Sequence, residues 1–91
     1  MSNYDKLREL LNREKFPHVF IFKFIGKNSA QFDFGVQSLE KKFPRLQKQS
    51  RRTTANQQFV SLSYVLTADT KEEIIEVYQF IALIEEIVVV L

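Results

Sequence analysis

The 91-residue chain has no cysteine, one histidine, two glycines and two prolines. Without cysteine there is no disulfide scaffold, thiolate metal site, iron–sulfur cluster or cysteine nucleophile. A single imidazole, His18, removes most histidine chemistry, and two glycines leave no room for a Gly-rich phosphate loop. No apolar run approaches the ~20 residues of a membrane span. The opening MSNYDKLREL is charged and amphipathic, unlike a signal peptide. A cytoplasmic location with no membrane partner is therefore expected.

The remaining composition is an ordinary globular mixture. Hydrophobic residues are 45% and charged residues 26%, which excludes a disordered chain. The length fits one core, so residues 1–91 are read as a single domain. Charge is unevenly placed. Residues 1–52 hold twelve of the thirteen Lys and Arg against five acids, a net +7. Residues 53–91 hold Lys71 against Asp69, Glu72, Glu73, Glu76, Glu85 and Glu86, a net −5. Such a split fits a nucleic-acid face or two patches that pair within or between chains.

Residues 3–13 read as a helix, with Leu7, Leu10 and Leu11 at i, i+3, i+4 and Tyr4 on the same stripe; Ser2 with Asp5 is a weak capping signal. Phe16-Pro17 ends it. His18 to Ile25 reads as a strand with Phe20, Phe22 and Phe24 on one face and Val19, Ile21, Lys23 and Ile25 on the other. Gly26-Lys27-Asn28 is the turn, and Asn28 or Ser29 the N-cap of a helix over 29–43. Phe32, Val36, Leu39 and Phe43 form its apolar face. Gly35 costs that helix roughly 1 kcal/mol relative to Ala, so a close helix–sheet contact is expected there. Pro44 stops it. Part of the polar run 45–55 is read as a strand. Phe59 to Thr67 alternates as a half-buried strand, with Val60, Leu62, Tyr64 and Leu66 inward. Ala55-Asn56-Gln57 is the hairpin turn, Asn56 supplying the positive φ. Thr70 with Glu73 makes a capping box for a helix carrying Ile74, Val77, Tyr78 and Ile81. Ile84 closes the next loop, and 86–91 is a last strand.

One helix followed by β-α-β-β-α-β is the ferredoxin-like arrangement, an α+β sandwich. Right-handed crossovers place both later helices on one face of a four-stranded antiparallel sheet of order 4-1-3-2. The 3–13 helix is an addition to the 18–91 core.

Chemistry is thin. Serines are available, but His18 begins a strand beside proline and has no partner pattern. The adjacent pairs Glu72/Glu73 and Glu85/Glu86 diverge rather than share a protected site, and metal-ligand spacing is missing. No catalytic residue, no metal and no cofactor is expected, and the chain is read as not an enzyme. Acylphosphatases share the strand order but carry an arginine in the loop that here reads Gly26-Lys27-Asn28-Ser29. RNA recognition motifs share it too, yet stack bases on outward aromatics. Turning the phenylalanines outward would bury Lys23 beneath the helices, which is costly, so they face inward and nucleic acid is not the favoured partner. The basic stretch Lys41, Lys42, Arg45, Lys48, Arg51 and Arg52 has two explanations. It is a phosphate or acidic-partner patch, or it is helix C-terminal charge at Lys41 and Lys42 followed by a strand edge charged against aggregation.

The opening leucines Leu7, Leu10 and Leu11 ahead of Phe16-Pro17, then Phe20, Lys23 and Gly26, Ser61-Leu62-Ser63, Tyr78 and Val90-Leu91 together resemble the YbeD-like family of small bacterial proteins, over about residues 6–91. The resemblance implies the ferredoxin-like fold and similarity to ACT domains, which bind small effectors and regulate metabolic enzymes. Family members are associated with lipoate biosynthesis in some bacteria. This chain departs in a longer stretch before Phe16 and a more apolar outer sheet face. By the ACT likeness an effector would sit at the loop Gly26, Lys27, Asn28 and Ser29, and a metabolic enzyme is an expected partner.

Two functions from different classes are expected. The first is a non-catalytic ACT-like regulatory or ligand-sensing module acting through oligomerisation or partner binding. The second is a nucleic-acid or anionic-partner adaptor using 41–52. Ile87 to Leu91 carries no charge although it should form a sheet edge. With Val88 and Val90 outward, it extends a patch of Ile21, Ile25 and Val65, so a homodimer is expected, unless the first helix covers that face with Leu7, Leu10 and Leu11.

Overall fold

In the computed structural model, which describes residues 4–91, the chain forms α1 (Asp5–Leu11), β1 (His18–Lys27), α2 (Ala30–Lys42), β2 (Gln47–Thr53), β3 (Phe59–Ala68), α3 (Lys71–Ala82) and β4 (Ile87–Val90). The four strands make one antiparallel sheet in the order β2-β3-β1-β4, which is 4-1-3-2 read from the other side, the expected ferredoxin-like α+β fold. The capping signal at Ser2 lies outside the described residues.

Helix starts follow the cap chemistry. Ser29, extended in backbone, accepts at Oγ from Phe32 N–H and begins α2. Thr70 does the same for Glu73 N–H at α3. The Glu73 carboxylate reaches back to Asp69 N–H, 2.8 Å, one residue before the box position. In the β2–β3 turn the positive φ falls on Gln57 rather than Asn56. Asn56 serves by its side chain instead, Oδ1 accepting from the Thr54 hydroxyl and from Gln58 N–H, an Asx-type turn.

The core lies between the sheet and α2/α3. Phe22, Phe24, Phe32, Leu39, Val60, Leu62, Tyr64, Ile74, Val77 and Ile81 are essentially inaccessible, each large apolar side chain stabilising the fold by roughly 1.5–3 kcal/mol. Phe22 meets the Tyr78 ring edge-on, centroids 4.9 Å apart, and Phe24 stacks on Tyr64 at 5.9 Å. Tyr64 donates from its hydroxyl to Glu40 Oε2 at 2.5 Å, and Lys48 Nζ stands 3.3 Å from the same oxygen. Burial first, and that hydrogen bond second, push the Tyr64 phenol well above its ordinary pKa.

Both glycines are packing positions. A Cβ on Gly26 would lie 2.1 Å from the Phe32 ring, and one on Gly35 2.5 Å from Ile84 Cγ2. The close approach at Gly35 is thus to Ile84, the residue closing the loop after α3, rather than to the sheet. α1 packs on α3, with Leu11 buried and Leu10 exposed. Arg8 stands 3.5 Å from Glu72, and Lys71 Nζ donates to Asn12 Oδ1. The first helix therefore belongs to the helical layer and leaves the opposite sheet face uncovered.

Two register shifts set which side chains reach that open face. In the β1–β4 ladder Phe24 pairs Val90 and Ile25 pairs Val89, but Gly26 pairs Ile87, so Val88 is an extra residue. The bulge turns Val90 and Ile87 toward the core, where both pack. Val90, expected outward, is thus inward because it shares a row with Phe24. Val89 takes its place outside beside Ile25, and Val88 stays exposed at the bulge. In the β2–β3 ladder the shift falls between Lys48 and Ser50, leaving Gln49 as the extra residue.

Candidate functional site

Three places were marked by the sequence, and the fold treats them differently. The first is the segment Gly26-Lys27-Asn28-Ser29. Gly26 and Lys27 are strand rather than loop. Gly26 is roofed by the Phe32 ring. Lys27 lies 3.5 Å from Glu86 Oε2, Asn28 Nδ2 donates to the Gln57 carbonyl at 2.9 Å, and Ser29 caps α2. An open hollow of about 500 Å³ exists here, also lined by Gln58 and Phe59, but all four marked residues already hold the sheet to α2 or to the neighbouring turns.

The second is the basic stretch. Arg45 is held by Asp69 at 2.9 Å, by Glu73 at 2.5 Å and by the Thr67 carbonyl at 3.0 Å. Lys48 pairs with Glu40 at 3.3 Å and Arg51 with Asp33 at 4.0 Å. By register Lys48 and Arg51 share rows with Tyr64 and Leu62, so they lean over the helix side of the β2 edge toward the acids of α2. The stretch is therefore split. Lys41 and Lys42 remain at the α2 C-terminus, Lys42 lying 5.9 Å from the Phe43 ring centre, and Arg52 is on the opposite sheet face beside Ser61.

The third is that open face, and it has two halves. On the β1–β4 side Val19 is 60% exposed, Ile21 62% and Leu91 64%, with Val88 and Val89 also exposed; Ile25 and, on β3, Val65 are half-buried. On the β2–β3 side a hollow of about 480 Å³ is lined by Ile21, Lys23, Gln49, Ser50, Arg52, Ser61 and Ser63. Phe59 is the one aromatic in the outward register of β1 and β3, at the rim opposite Lys27. The sequence places Ile21, Ile25, Val65 and Val88 on this surface correctly. It does not reveal Val89, Leu91 or the polar hollow, because the first two need the β4 bulge and the hollow needs the β2 bulge.

β4 also covers only part of its neighbour. Its ladder reaches Phe24 to Gly26, Lys27 N–H goes to Glu86, and Leu91 N–H donates to the Lys23 carbonyl. Backbone groups alternate sides along an antiparallel strand, so those of Val19 and Ile21 point to the same edge, beyond the end of β4. His18 meets Phe16 edge-on and Phe20 at a tilt, and its Nδ1 lies 3.9 Å from Glu14. Among the described residues no cluster of three or more His, Cys, Asp or Glu could hold a metal ion, and no helix is long and apolar enough to cross a membrane.

A family model described as "Protein of unknown function (DUF493)" matches residues 12–91. No curated protein matches the chain. Among solved structures, the solution structure of protein HP0495 from H. pylori is similar, with a TM-score of 0.66 at 17% identity, over 86% of this chain and 85% of that one.

Proposed function

The chain belongs to the DUF493 family of proteins of unknown function, and we propose that it works as a non-catalytic, ACT-like regulatory module that associates with a second copy through the open face and free edge of β1. The observation that carries this reading is the exposure of Val19 and Ile21, 60% and 62%, on a strand edge where the backbone beside them has no ladder partner among the described residues. Exposed apolar residues on an unprotected strand edge favour pairing with another chain. A two-fold axis at Phe20 sets Val19 of one copy opposite Ile21 of the other. Lys23 lies outside that short ladder, so like charges are not opposed. The alternative, an anionic-partner adaptor on 41–52, is weakened because Arg45, Lys48 and Arg51 are engaged by acids of the same chain.

Hydrogen exchange at about 1 and about 100 μM tests this, since mass action favours the associated state at the higher concentration. Protection that rises with concentration at the amides of Val19 and Ile21 supports the proposal. Exchange there that is independent of concentration contradicts it.

A further inference from the structure

The polar half of the open face has features that the apolar half does not explain. Two rows cross the sheet there. Lys23 is opposite Ser63, and Ser63 opposite Ser50; in the next row Ile25 is opposite Ser61, and Ser61 opposite Arg52. Rows on one face of a sheet are about 7 Å apart and cross-strand neighbours about 5 Å, so three hydroxyls form a compact floor. Lys23 and Arg52 stand at opposite corners, each long enough to lean over it. The β2 bulge adds the Gln49 amide to the wall.

Three observations point to a ligand. Neither cation has an acidic partner among the described residues, although Arg45, Lys48 and Arg51 nearby all do. No carboxylate of the described residues lines the hollow. Ser63 is only 7% exposed as a residue, and its hydroxyl, which makes no hydrogen bond among the described residues, keeps its accessible surface at the hollow. Two fixed-sign cations and three hydroxyl donors around one space match an anion with several oxygens. The guanidinium offers a fork and the ammonium a compact charge. Ile21 supplies one apolar wall, and the volume of about 480 Å³ is in the range of small-molecule sites.

We propose that this hollow binds a small phosphate monoester, its phosphoryl oxygens held by Lys23, Arg52 and the hydroxyls of Ser50, Ser61 and Ser63, with the organic part against Ile21. The site stands whether or not β1 pairs with a second copy, since Ser50, Arg52, Ser61 and Ser63 lie on β2 and β3 and Lys23 lies outside the proposed ladder at Val19 and Ile21.

The test is an amide-resolved NMR titration at low salt with inorganic phosphate and with phenyl phosphate. Saturable shifts are expected at Lys23, Arg52, Ser61 and Ser63, with phenyl phosphate the tighter. Lys23→Gln with Arg52→Gln should weaken binding roughly tenfold or more, the loss of charge-assisted contacts, with an unchanged melting temperature. Ser63→Val should also abolish the shifts at Ser61 while the protein stays folded, which separates a ligand-binding hydroxyl from a structural one. The proposal is overturned if no shifts saturate at these amides, or if the double glutamine variant binds as the parent does. It is also overturned if succinate binds as tightly as phenyl phosphate, which would make the preference one for carboxylates, or if a single-stranded oligonucleotide at equal phosphate concentration binds more tightly, which would assign the face to nucleic acid.

Discussion

β1 presents two faces of similar composition and opposite fate. On one, Phe22 and Phe24 are fully buried beneath α2 and α3; on the other, Val19 and Ile21 remain more than half exposed. Local strand propensity is alike on both sides, since aromatic and β-branched residues are both strand formers. The neighbourhood differs. Lys23, in the middle of the outer row, makes that face intolerable beneath two helices, and the aromatic row then has to be the core. A strand apolar on both faces with cover on one is expected of a molecule that covers the other by association. The same contrast runs across the sheet edges: β2 carries cations tied to α2 by ion pairs, whereas β4 carries none and stops short of Val19 and Ile21.

The contrast is broken most severely by Phe22→Ala. Loss of a buried phenylalanine from the core should cost about 3–5 kcal/mol, a large share of the stability of a domain this small. Ile21→Ala, the next residue, should change the stability of the dilute protein by no more than about 0.5 kcal/mol. Thermal melts of the two variants compare the faces directly, and a shift of only a degree or two for Phe22→Ala would mean that the faces are exchanged. Gly26→Ala places a methyl into the Phe32 ring and should cost about 1–3 kcal/mol by overpacking. Combining it with Phe32→Leu should recover part of that loss, as coupled neighbours do.

Alkaline titration gives a smaller effect on the covered side. Burial raises the Tyr64 and Tyr78 phenols above their ordinary value, with the Glu40 hydrogen bond adding to the rise at Tyr64. A raised folded-state pKa means that the native state holds the proton more tightly than the unfolded chain. The associated stability is complete below the unfolded tyrosine pKa of about 10 and is lost as pH rises through the folded value. Denaturant midpoints should therefore fall above pH ~10, and Tyr64→Phe should flatten that fall. An equally steep fall in the variant would show that Tyr64 is not its source. The smallest expected effect is on the open side. Ser63→Val replaces an unpartnered hydroxyl on the floor of the hollow with a shape of similar size, and the melting temperature should hold or rise slightly.

Most of the fold was legible because its signals are local. Ser29 and Thr70 cap helices, Pro44 comes just after one, and Val60, Leu62, Tyr64 and Leu66 alternate inward as the period of a strand requires. The illegible parts depend on pairing. Simple alternation through Ile87 to Leu91 puts Val88 and Val90 outside, but one extra residue at the β4 bulge exchanges Val90 for Val89. A one-residue shift reverses the face of every later residue in the strand. Gln49 does the same in β2 and thereby brings Ser50 and Arg52 into rows with Ser63 and Ser61. Nor could the basic run reveal that Arg45, Lys48 and Arg51 turn toward Asp69, Glu73, Glu40 and Asp33, acids carried by other elements of the chain. Position in a run says nothing about the side of the sheet a charge occupies. Gly26 read as a turn because glycine usually marks one, whereas here it is the strand position where the Phe32 ring lies on the backbone.

The measurement that bears most directly on the open face is sedimentation velocity across a dilution series, for the parent and for Val19→Lys with Ile21→Lys. Opposed lysines in a short antiparallel ladder repel, while lysines on a solvated strand face leave the fold intact. Association through β1 requires a parent dimer that dissociates on dilution, and a double variant that is a folded monomer at every concentration. A parent that sediments as a monomer at about 100 μM, well above the dissociation constant of a useful self-association, would contradict that association, as would a dimer that the two lysines leave unchanged.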